Sequence, residues 1–240
     1  MKANLFYEDD ATFLGLTRLR GEARREVQSS TLVCRAADGD WKAAEALHRG
    51  FWPFVKEFQI AIDHHRIPRL PLRQKFGEIA DQKFEKLAQA MREMKREEGN
   101  HAAHWQEDAS CLGLDDMEGP IVPSVQKLIA DARTADQVYF FSVLAGTELI
   151  AEELSAFLVR AEKFLDLFSR KRWTWGEVHL IPHGDGGSHL DIDLDLARAY
   201  LAREEDHESI GQSVIRTIEL FGQAAREVEV AFASKVVASS

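Results

Sequence analysis

The sequence predicts an all-α protein, and three observations carry that prediction. Apolar residues recur three and four apart through most of its 240 residues, the spacing of one helix face. No run alternates apolar and polar residues as a half-buried strand would. Glycine and proline are few, at 15 and 6, and fall between the periodic segments rather than forming a linker. Residues 40–66 read as a helix bending before Pro53. The stretch IPRLPL, 67–72, reads as a connector, because each proline biases its predecessor away from helix. A helix follows over 73–98 and continues or restarts to about 112. A break over 112–123 precedes a short helix over 124–132, then one long helix over 134–170. Residues 171–189, with HGDGGSH at their end, read as irregular. Two last helices are expected at about 190–204 and 206–234. The sum is an up-and-down bundle of six to eight helices, expected as one domain over 1–240 with 1–39 as an extension packed on the bundle.

Composition narrows the function. The formal net charge is −10, which argues against nucleic acid and anionic membranes as partners, since both need a basic face. No run is long enough for a membrane span, and the acidic start MKANLFYEDD does not read as a signal peptide. Cys34 and Cys111 are the only cysteines and show no paired-ligand spacing. They are expected to stay reduced, in a cytoplasmic setting.

The segment REEGNHAAHWQEDASCLGL, 96–114, carries the chemistry. Glu97, His101, His104 and Asp108 lie at helical offsets 0, 4, 7 and 11, within about 60° of one another at 100° per residue. Four potential ligands thus share one stripe, unless Gly99-Asn100 breaks the helix. Carboxylate with imidazole and no thiolate suits non-haem iron or manganese better than structural zinc. Glu148 emerges from the apolar run VYFFSVLAGT, where a carboxylate is costly unless paired or ligated. His189 and Asp193, four apart, share a helix face. Glu57, His64 and His65 form a second-choice pairing at the end of the first long helix. Trp173 and Trp175 are expected to anchor the HGDGGSH turn, 183–189.

In order and spacing, Glu97-x6-His104, Glu148 within GTE, and His189-x3-Asp193 resemble the heme-oxygenase-like diiron oxidases and oxygenases. That group shares one superfamily with TenA, PqqC and CADD-like proteins. The resemblance covers roughly residues 40–235. It implies a heme-oxygenase-like helical bundle of about seven core helices. It also implies Fe(II), two ions per chain, activating O2 on a small amine or amino-acid-like substrate in specialised metabolism, with Glu97, His104, Glu148, His189 and Asp193 as ligands. Trp105, Phe140 and Phe141 would wall the substrate, and a homodimer is expected. The chain departs from the family's H-x3-D-x2-H at its last position, where Leu196 stands for a histidine. His101 is one replacement, and His183 or Asp185 from the HGDGGSH loop are others. Failing these, the site holds one metal or none. Two further readings therefore stand beside the oxidase. One is a metal-free TenA-like or PqqC-like enzyme, for which Cys111 is the candidate nucleophile although its acidic neighbours oppose thiolate formation. The other is a helical binding protein with a degenerate site.

Overall fold

A computed structural model describes residues 6–7, 15–180 and 189–238. Among them it contains helices and no strand. The helices are α1 (Leu16–Ser29), α2 (Thr31–Ala37), α3 (Trp41–His64), α4 (Arg69–Phe76), α5 (Glu78–Cys111), α6 (Pro123–Ala132), α7 (Gln137–Leu158), α8 (Glu162–Leu165), α9 (Thr174–Val178), α10 (His189–Tyr200) and α11 (Glu208–Ala238). A 3-10 turn, Glu204–His207, leads into α11.

Helix α7 is the axis of the fold. It packs against α1, α6, α9, α10 and α11, and a helix enclosed this way must be apolar almost all round. Its buried run from Phe140 to Ala151 is unbroken. Asp136 starts it by accepting the Tyr139 amide at 2.9 Å, the usual N-cap bond. Gly146 sets the distance to α11. A Cβ there would meet Thr217 Cβ at 2.8 Å and the Val214 carbonyl at 3.2 Å, so only glycine permits this approach. Two ion pairs bind α1 to the same helix, Arg20 with Glu152 and Arg24 with Glu153.

Three expected boundaries are corrected. The connector at 67–72 is largely helical: Pro68 caps α4 and Pro71 lies within its first turn, where a missing N–H removes no intrahelical bond. Gly77, at φ 58°, separates α4 from α5. Helix α5 then runs unbroken for 34 residues through Gly99-Asn100. The long helix expected over 134–170 ends at Val159. The chain must turn there because Phe164 and Phe168 are fully buried against His48, Trp173 and each other. A straight continuation would carry both away from that cluster. Trp173 and Trp175 are buried beside them. Pro53 sits inside α3 without ending it.

Candidate metal centre

The buried face of α5 follows one heptad seam: Leu87, Met91, Met94, Glu98, His101, Trp105, Asp108 and Leu112, spaced four and three in alternation. Four of these eight can ionise or donate from a ring, and two of those work elsewhere. Asp108 accepts the backbone amides of Thr174 at 3.1 Å and Trp175 at 2.7 Å. Its carboxylate fixes the start of α9 instead of joining the other donors. Trp105 donates from Nε1 to the His48 carbonyl at 3.0 Å. Glu98 and His101 face the space between α5, α7 and α10.

There Glu98, Glu148 and His189 come together, each buried, with one donor atom apiece within 4.8 Å of the others. His189 Nδ1 lies 3.5 Å from Glu148 Oε1 and 3.8 Å from Glu98 Oε1. His189 Nε2 lies 2.7 Å from Glu97 Oε2. His101 Nδ1 is 3.3 Å from Glu98 Oε2. Asp193, one turn beyond His189, is 1% exposed. Neither of its carboxylate oxygens has a hydrogen-bond partner among the described residues.

Charge in this cluster is balanced by protons. Burial opposes a charge on His189, but the Glu148 carboxylate 3.5 Å away, with Glu98 and Asp193 nearby, raises its pKa to about 10. Burial opposes the Glu148 carboxylate too, yet His189 brings it down to about 2. Burial and the neighbouring Glu148 charge push Asp193 well up, which favours its neutral form. His101 is likewise raised, its burial outweighed by Glu98. His179, the C-cap of α9, moves the other way, to about 4, through burial and the charge of His101.

The residues singled out from the sequence divide. Glu148 and His189 are buried and adjacent, and His101 joins them through Glu98; Asp193 is buried one turn beyond His189, outside the Glu98–Glu148–His189 group. Glu97 reaches His189 from the partly exposed edge, with 31% of its side chain accessible. His104 is partly exposed and near Glu107; it is not in the Glu98–Glu148–His189 group. Phe140 stacks on His65 with ring centroids 3.4 Å apart, and Phe141 stacks on Tyr200. Both are at the first turns of α7, Phe141 about 10 Å along the helix from Glu148 at 1.5 Å per residue. Glu57 pairs with Arg133, not with His64. His183 and Asp185 lie outside the described residues. Leu196 is fully buried.

Sequence reasoning missed Glu98 and His179. The heptad seam locates Glu98, because continuing Leu87, Met91 and Met94 by four and three reaches residues 98, 101 and 105 rather than 97 and 104. Nothing comparable marks His179, which sits in a five-residue helix.

Beside the cluster is an apolar cavity of about 80 Å3, lined by Phe51, Phe54, Trp105, Thr147, Trp175 and Phe221 among others. Trp175 borders both this cavity and His179, whose ring centroid is 4.0 Å from its own. Phe140 and Phe141 are outside the lining.

No protein-family model matches the chain, and no curated protein matches it. Its architecture is that of a helical bundle protein similar to TenA. A solved TenA homolog from Pseudomonas syringae pv. tomato superposes with a TM-score of 0.64 at 15% identity, covering 93% of this chain and 96% of its own. At that identity the likeness is one of fold.

Proposed function

We propose that the protein is a non-haem iron oxidoreductase that uses O2 on a small amine or amino-acid-like substrate, with its metal held between α5, α7 and α10. The observation that supports this reading best is Asp193. A carboxyl group buried to 1% with both oxygens unpartnered is expensive in an ordinary core. Beside two further carboxylates and an imidazole, it is the kind of donor a cation repays. The donor set is hard oxygen with imidazole, and no thiolate lies in it, which fits iron or manganese. Bound iron would supply electrons to O2 and an oxidant to the substrate.

The chain's own residues do the rest. Glu98, Glu148 and Asp193 hold cationic charge away from water. The proton that His189 carries must leave when metal enters, so affinity rises with pH. The aromatic cavity behind Trp105 and Trp175 excludes water and accepts an apolar substrate body. The metal-free, thiol-dependent reading has less support. Cys111 is thirteen residues beyond Glu98 on one straight helix, about 20 Å along its axis.

Anaerobic reconstitution with ferrous iron, followed by metal analysis, tests the proposal. Wild type should retain iron after desalting, and Glu98→Ala should lose at least half of it. Retention of none by wild type would overturn the metal reading and favour a binding protein.

A further inference from the structure

His179 is the remaining imidazole in the cluster that none of these roles uses. It arrives from α9, a segment outside the α10 motif. Its Nδ1 lies 2.7 Å from the Trp175 carbonyl. A carbonyl only accepts, so Nδ1 carries the hydrogen and the lone pair of the neutral ring is on Nε2. A ring oriented by an Nδ1–H bond to a backbone carbonyl is the arrangement in which histidines bind metals through Nε2. The ring centroid is 4.3 Å from that of His101, and the ring is close enough for Glu148 and His189 to act on it electrostatically. Its position is also held firmly. Asp108 pins the start of α9 by two amides. Gly176 lies so close to Trp173 that a Cβ would meet its ring at 2.2 Å.

We propose that His179 supplies the imidazole that Leu196 withholds, completing a two-metal donor set of Glu98, Glu148, Asp193, His101, His179 and His189. This rests on the metal reading above and adds where the missing ligand comes from. Three carboxylates and three imidazoles suffice to give each of two divalent ions protein donors of both kinds. Without His179, two imidazoles remain for both, and one of them, His101, already faces Glu98. The α10 helix can then tolerate leucine at 196, where the side chain has become core.

The test is metal stoichiometry and the spectrum of bound cobalt(II), which reports ligand type in the absence of turnover. Wild type should bind two equivalents of Fe(II) or Co(II) per chain. His179→Ala should bind one, with a changed visible Co(II) spectrum, and added imidazole should restore the second equivalent by filling the space left. His179→Gln keeps a donor for the Trp175 carbonyl and should lose the same equivalent if Ala disturbs the fold. His64→Ala, on the exposed end of α3, should change nothing. Two equivalents in both His179 variants, with circular dichroism unchanged, would overturn the assignment of His179 alone. One equivalent in wild type would also overturn it. None in wild type would overturn the metal reading beneath it and this inference with it.

Discussion

Glu148 Oε1 and His189 Nδ1 face each other at 3.5 Å in the centre of the bundle, each side chain no more than 10% exposed. In the metal-free protein they form a buried ion pair, since His189 stays protonated up to about pH 10 and Glu148 ionised down to about pH 2. Glu148→Gln removes the counter-charge and leaves a buried cation. The His189 pKa should fall, which histidine-ring NMR titration of the metal-free protein will read. Urea unfolding at neutral pH should lose about 3 kcal/mol, the low end for a broken buried pair, because Glu98 remains 3.8 Å away. An unchanged His189 titration would mean that the pair is not formed.

Asp193→Asn should separate a binding role from a packing one. Burial and the Glu148 charge push the native carboxyl well up, towards its neutral form. An amide of the same shape is itself neutral, the form the site favours, so metal-free stability should shift by no more than about 1 kcal/mol, within the range of a modest substitution. Iron content should fall at the same time. A large stability loss with iron retained would make Asp193 structural.

Gly146 is two residues before Glu148 and lets α11 touch α7. Gly146→Ala gains helix propensity of about 1 kcal/mol but drives a methyl into Thr217 and the Val214 carbonyl. Overpacking of this kind costs about 1–3 kcal/mol, and backbone cannot rotate out of the way. The net expectation is a lower melting temperature together with weaker metal binding, as α7 shifts and takes Glu148 with it. A stabilised variant would mean that α11 yields freely.

His48 gives the protein an acid limit independent of the proposed metal centre. It is fully buried, its Nδ1 donates to the Ala44 carbonyl at 2.8 Å, and burial lowers its pKa to about 4. A histidine depressed in the fold stabilises fully above its unfolded value near 6.5. That contribution is lost as pH falls from 6.5 towards 4. The span is worth about 3 kcal/mol at most. His48→Leu should flatten the decline in stability between pH 6.5 and 4, measured by urea unfolding across that window.

The helices were legible in the sequence because their periodicity is, and the TenA-like fold bears out the all-α expectation. The site was legible where burial contradicts residue type. Glu148 stands out because ten apolar or small residues precede it. The α5 stripe was misphased by one residue because charged side chains surround it on both sides. Only the longer seam from Leu87 distinguishes the face that Glu98 occupies from the edge that Glu97 occupies. His179 was hidden for another reason: its place depends on Asp108, 71 positions earlier, and no local pattern encodes a contact of that range. The end of α7 was missed likewise, since Phe164 and Phe168 continue a helical spacing that the tertiary cluster overrides.

Asp108 has one more consequence. A carboxylate that gives both oxygens to backbone amides behaves as a rivet. It fastens α9 to α5 ten residues downstream of Glu98, about 15 Å along the helix axis. Helix α5 is therefore both the source of proposed ligands and a ruler that sets where a distant segment may lie. Trp175 and His179 belong to that segment, so the wall of the apolar cavity and the rim of the proposed metal centre share this fastening. A change that loosened it would alter both at once, and cavity shape and metal affinity would drift together rather than independently.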